Sequence, residues 1–142
     1  MITTISPATG KPLATYPLMD ANEALGIAKA VHEQHQRWKQ TSFEERKKRF
    51  LALAAVLEKN KVAYATMMAK EMGKVLKEGI AEVEKCAWLA KVLVEKGEQW
   101  LAEESVDAGG LEHKIVYEPL GTIYLIMPWN FPFWQPLKVG LP

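Results

Sequence analysis

The stretch Met127-Pro128-Trp129-Asn130-Phe131-Pro132-Phe133 decides how the rest of this chain is read. It ends the apolar run Ile123-Tyr124-Leu125-Ile126-Met127, a pattern that predicts a buried strand of a parallel sheet over 122–127. Pro128 has no backbone N–H to give to a ladder, so that strand is expected to stop there. Asn130 then falls just past the carboxyl end of a strand, the edge at which ligands bind in open α/β sheets. An amide set between Trp129 and Phe131, with Pro128 and Pro132 outside them, is a preorganised hydrogen-bond donor.

Upstream, the chain reads as helices. Residues 1–19 are expected to be extended, with a turn at Ser6-Pro7-Ala8-Thr9-Gly10. Asp20 and Glu23 form a capping-box pattern that opens a helix to about Lys39, with Leu25, Ala28, Val31 (or His32), His35 and Trp38 along one stripe. Ser42 and Glu45 form a second such pattern, and Phe43, Phe50, Leu53, Ala54 and Leu57 share a face of the helix that follows. Asn60 suits the cap of a third helix that ends at Gly73, and Lys74 to about Ala102 reads as a fourth, weakened locally by Gly79 and Gly97. Asp107 to Gly110 reads as a loop, Lys114-Ile115-Val116-Tyr117-Glu118 as a strand, and Pro119-Leu120-Gly121 as a turn. Strand 122–127 has nothing in this chain to pair with in a parallel sheet, because parallel partners need a crossover.

Composition excludes several functions. Of 142 residues, 49% are hydrophobic and 25% charged, an ordinary globular profile long enough for a real core. With 18 basic and 17 acidic residues the net charge is +1, which argues against a nucleic-acid or anionic-membrane partner. No apolar run approaches the roughly 18–20 residues of a membrane span, and the N-terminus lacks the basic and apolar regions of a secretory signal. A single cysteine, Cys86, permits no intrachain disulfide, so a reducing, cytoplasmic setting is expected. The ending Lys138-Val139-Gly140-Leu141-Pro142 carries no cap or polar tail and reads as the end of a fragment.

Several tempting residues read as structure. Arg46-Lys47-Lys48-Arg49 is expected to be a solvated helix face, since acidic residues precede it and no aromatic platform interleaves it. His32, His35 and His113 lack the partners of a ligand set, so no metal site is expected. Glu82 and Glu84 are two apart on a helix and point in different directions, which rules out a carboxylate dyad. Cys86 lies mid-helix, far in sequence from the Asn130 segment, and reads as a structural thiol.

Four stretches together carry a family resemblance: Ser6-Pro7-Ala8-Thr9-Gly10, Glu71-Met72-Gly73-Lys74, Glu118-Pro119-Leu120-Gly121 and, above all, Pro128-Trp129-Asn130-Phe131-Pro132. The chain resembles the N-terminal portion of an NAD(P)-dependent aldehyde dehydrogenase, and Phe133-Trp134-Gln135 leans toward the succinate-semialdehyde dehydrogenase group. The resemblance implies a truncated α/β, Rossmann-like fold. Residues 1–110 would be mainly helical, and 111–142 would hold an oligomerisation-type strand, the first cofactor-sheet strand and an active-site loop. It implies oxidation of an aldehyde, such as succinate semialdehyde, to the carboxylic acid with NAD or NADP, by cysteine attack, hydride departure and glutamate-activated water.

The same resemblance assigns roles to residues. Asn130 would donate to the oxyanion; Met127, Pro128 and Trp129 would meet the cofactor near its nicotinamide-ribose end; Phe131 and Trp134 would line the substrate tunnel. The family nucleophile and general base would lie beyond Pro142, so the isolated chain is expected to be inactive, and a complete relative to be a homo-oligomer. The alternative is a non-catalytic stub that acts as a binding or assembly module through strand 114–118, which has charged ends and no evident local partner.

Overall fold

The computed structural model describes residues 1–142. Its first nineteen residues form a hairpin, β1 (Ile2–Ile5) against β2 (Pro12–Tyr16), closed by the expected turn, in which Ser6 N–H donates to Lys11 and Gly10 N–H to Ser6. The capping box at Asp20 is complete: its carboxylate accepts from the N–H of Asn22 and Glu23, and Glu23 accepts from the N–H of Asp20. Helix α1 (Ala21–Trp38) follows, but it contributes no buried residue. The stripe read from the sequence leaves Leu25 and Val31 in solvent.

Ser42 caps α2 (Phe43–Met72) by accepting from Glu45 N–H, while the Glu45 side chain bonds Arg49 and so completes only half a capping box. The expected break at Asn60 is absent. Phe43 to Met72 is one helix of 30 residues, and the Asn60 side chain donates back to the Val56 carbonyl inside it. A capping residue inside a favourable helical run can turn its side chain to the preceding turn, which removes the signal to stop.

Gly73 does end α2. It adopts φ +74°, donates to the Ala69 carbonyl, and would bring a β-carbon to 3.3 Å from Pro7 Cγ. The chain then reverses into α3 (Leu76–Trp100). These two helices make the core: Ala54, Leu57, Ala65 and Met68 from α2 against Val83, Cys86, Ala87 and Ala90 from α3. The α3 set recurs at three- and four-residue steps from Gly79 onward, as one buried face of a helix requires. Gly79 is the closest point of approach. A β-carbon there would lie 3.0 Å from Ala65 Cβ and 3.2 Å from Ala65 Cα.

Beyond α3 the chain departs from the expected strands. A hairpin forms between β3 (Glu104–Asp107) and β4 (Glu112–Ile115), so the strand expected at 114–118 begins earlier and has a local antiparallel partner. The segment expected to be a strand at 122–127 is not one. It has no ladder, and Tyr124 and Ile126 are exposed. An apolar run supplies the side chains of a strand, but its backbone needs a neighbour to bond, and this chain provides none. The chain closes with the short helix α4 (Trp134–Gly140), which packs against α3.

The two glycines of α3 predict opposite outcomes. Gly79→Ala should destabilise the fold by about 1–2 kcal/mol, because the added methyl meets Ala65 backbone that cannot swing aside. Gly97→Ala, with nothing within 4 Å of the new atom, should stabilise by about 0.5–1 kcal/mol through helix propensity alone. Urea unfolding midpoints of the two variants check this.

Candidate active site

Asn130 lies in the turn that leads into α4, exposed, with Trp129 75% accessible on one side and Phe131 on the other. Its backbone is not free. The Asn130 carbonyl accepts from Lys74 Nζ at 2.9 Å, and the same ammonium stands 3.9 Å from the centroid of the Phe131 ring. Lys74 also pairs with Glu82 Oε2, and both side chains are almost wholly out of solvent, at 6% and 2% exposure. The other oxygen, Glu82 Oε1, accepts from the N–H groups of Phe133 and Trp134, each at 2.9 Å.

This accounts for every polar direction of the pair. An ammonium has three protons, and here they face a carboxylate, a carbonyl and an aromatic ring. The carboxylate spends one oxygen on the ammonium and the other on two backbone donors, and no buried side-chain polar atom is left without a partner. Removing one member of such a pair strands a buried charge, which typically costs about 3–5 kcal/mol. Phe133 stacks on Tyr64 of α2 at 5.0 Å, and Lys85 lies 4.0 Å from the Trp134 ring, so the loop is also packed onto the helical hairpin.

The sequence-derived site residues are therefore distributed unevenly. Asn130, Phe131 and Trp134 sit where Lys74, Glu82 and Lys85 hold them. Pro128 and Trp129 are exposed, and Met127 is half-buried on the unpaired stretch before them. Sequence reasoning missed Lys74 and Glu82 as site residues. Lys74 was visible in the motif Glu71-Met72-Gly73-Lys74, but Glu82 offered only its place on a helix. Glu84 does point elsewhere, to Lys61.

The basic run at 46–49 is less solvated than its sequence suggests. Arg46 bonds the Thr41 hydroxyl and the Trp38 carbonyl and lies 5.3 Å from the Trp38 ring, and Lys47 bridges Glu44 and Glu98. These cations fasten helices to one another. No three His, Cys, Asp or Glu side chains are grouped to hold a metal, and no helix is long and apolar enough to cross a membrane.

The aldehyde dehydrogenase family pattern matches residues 1–140, and the chain belongs to that family. It is 39% identical over 145 residues to a succinate-semialdehyde dehydrogenase (NADP+) of Mycobacterium avium, covering 99% of this chain and 31% of that protein. A protein of the same name in Mycobacterium tuberculosis H37Rv is 37% identical over 144 residues, covering 99% of this chain and 32% of that one. The fold matches succinic semialdehyde dehydrogenase from Streptococcus pyogenes, solved with NADP+, at a TM-score of 0.90 and 28% identity, over 96% of this chain and 30% of that one. The chain thus spans 31–32% of the length of the curated relatives it matches.

Cys86 is fully buried, and burial, reinforced by the nearby Glu82 charge and opposed by Lys85, pushes its thiol from 9.0 up to about 11. The neutral thiol is thus the folded form at neutral pH. Unfolded chains lose this proton near 9.0 and folded chains near 11, so this group's contribution to stability is present below about pH 9 and is lost as pH rises toward 11. The native chain at pH 8 should react with a disulfide reagent such as DTNB at least about a hundredfold more slowly than the urea-unfolded chain. Equal rates would contradict the burial.

Proposed function

We propose that this chain supplies the oxyanion-binding loop and part of the nicotinamide floor of an aldehyde dehydrogenase that uses NADP to oxidise succinate semialdehyde or a similar short aldehyde. The observation that carries the reading is an exposed Asn130 side chain on a backbone held from beneath by buried charged groups. When a thiolate attacks an aldehyde carbonyl, negative charge gathers on the former carbonyl oxygen. A neutral amide fixed in advance lowers that barrier without reorganising, typically by about 3–4 kcal/mol for one donor. Asn130 suits this task, because its amide is a donor with no charge of its own to desolvate.

The neighbouring residues fit a cofactor. The backbone of 122–129 makes no hydrogen bond within the chain, and Pro128 and Trp129 present exposed, flat surfaces. Met127, Pro128 and Trp129 would hold the nicotinamide-ribose end through those free backbone groups and the indole face. Bound NADP supplies the hydride acceptor. Phe131 and Trp134 would form walls of the substrate path, each with one face already covered by a lysine.

Residues β3 and β4 are exposed throughout, and we assign this hairpin to subunit contact in a homo-oligomer. Sedimentation of a full-length protein carrying this segment as a monomer would count against it. A purely non-catalytic assembly role rests on an unpaired strand at 114–118, and β4 is paired with β3.

Cys86, the one cysteine present, is fully buried between α2 and α3, where no aldehyde can reach its sulfur, so the 142-residue chain should give no NAD(P)H signal with a panel of aldehydes. Robust turnover by this chain would refute the reading. In a complete protein carrying the segment, Asn130→Ala should lower the single-turnover rate by about 10²–10³-fold while the KM for NADP changes little. An unchanged rate would remove Asn130 from the oxyanion role.

A further inference from the structure

We infer that Lys74 and Glu82 are positioning residues for the Asn130 amide, a two-point clamp by which the α2–α3 hairpin sets the backbone of 130–134. The inference rests on the reading of Asn130 as oxyanion donor. Stability alone does not explain the pair. A buried ion pair is often no more stabilising than apolar side chains of the same volume. What these two groups do beyond neutralising each other is bond the loop: Lys74 takes the Asn130 carbonyl and the Phe131 ring, and Glu82 takes the N–H groups of Phe133 and Trp134. Four loop residues are thereby fixed by two side chains that are themselves nearly solvent-free.

The residue between the fixed points adds to the restraint. Pro132 locks its own φ and confines Phe131 to extended backbone. On the other side Pro128 fixes its own φ, but the backbone of 122–129 makes no hydrogen bond in this chain. The orientation of the Asn130 amide therefore depends on its downstream peptide, whose carbonyl the ammonium holds by a charge-assisted bond. Placement errors of about 1 Å in a reacting geometry can cost on the order of 10²-fold in rate, so a clamp of this kind has a measurable kinetic consequence.

The test is backbone amide exchange followed by NMR on the 142-residue chain, in wild type, Glu82→Ala, Asn130→Ala and the paired replacement K74M/E82L. The paired replacement removes both buried charges and keeps apolar volume, so the helical hairpin stays folded even if Glu82→Ala does not. The Phe133 and Trp134 amides should be protected in wild type and in Asn130→Ala, and should exchange at least about tenfold faster in K74M/E82L, with the core amides of 83–90 unchanged. An unprotected wild-type loop, or wild-type exchange in K74M/E82L, overturns the clamp.

A second readout uses a full-length enzyme of the family that carries this segment. K74M/E82L should lower the single-turnover rate by about 10–100-fold with little change in the KM for NADP, the split expected of a positioning pair and not of a cofactor contact. If Asn130→Ala slows the reaction and K74M/E82L does not, the clamp fails and the oxyanion reading stands. If K74M/E82L loosens the loop while Asn130→Ala leaves the rate intact, the oxyanion reading fails, and with it the catalytic meaning of the clamp.

Discussion

An ammonium removed from water must find partners for three protons, and the way Lys74 does so organises this chain. Its partners come from three places: a carboxylate two turns into α3, a backbone carbonyl in the Asn130 turn, and the ring of Phe131. The residues just before it are equally committed. Glu71 accepts from the Thr4 hydroxyl of β1, and Gly73 turns the chain against Pro7 of the first turn. The tetrapeptide Glu71-Met72-Gly73-Lys74 is therefore a junction at which the N-terminal hairpin, both core helices and the Asn130 loop meet. Two stretches far apart in sequence, Thr4–Pro7 and Glu71–Lys74, touch there, through the Thr4–Glu71 hydrogen bond and the close fit of Gly73 against Pro7, for reasons that neither shows alone.

The junction depends in turn on a narrow helix interface. Alanine and glycine dominate the contact between α2 and α3, with Ala54, Ala65, Ala87, Ala90 and Gly79 all buried. Small side chains let the backbones approach, and dispersion contacts made across such an interface leave little slack. That closeness carries Glu82 inward beside the start of α3, where a charged residue is tolerated because each of its oxygens has a donor. A wider interface, with a side chain at position 79, would move the carboxylate away from the loop it holds.

These relations explain which parts of the molecule could be read from the sequence. The Asp20 and Ser42 caps and the Gly73 terminus were legible because each is decided within a few residues. Asn60 misled because the same side chain serves inside a helix as well as before one. The run 122–127 misled for a different reason: apolar character can be read locally, but pairing cannot, and the paired edges lie instead at 104–107 and 112–115. Glu82 was the least legible. On a helix its spacing from Glu84 says only that the two point apart; that one of them points inward, toward a lysine eight residues earlier and a loop 51 residues later, is a tertiary fact.

The loop is consequently asymmetric, and the asymmetry has chemical meaning. From Asn130 onward, charge-assisted hydrogen bonds and ring contacts fix the backbone. Before Asn130, Tyr124, Ile126 and Trp129 stand exposed and no hydrogen bond restrains the chain. Burial of apolar surface, the usual source of order, reaches the upstream stretch only through the half-buried Leu125 and Met127, and order at the amide comes chiefly from the charge-assisted bonds and ring contacts downstream. A donor that must meet developing charge needs its position decided before the charge appears, since reorganisation during the reaction would cost what the donor supplies. A flat cofactor surface tolerates adjustment, because stacking on Trp129 is broad in angle, whereas a hydrogen bond to an oxyanion is not. The chain concentrates its buried polar bonds on the side where tolerance is smallest.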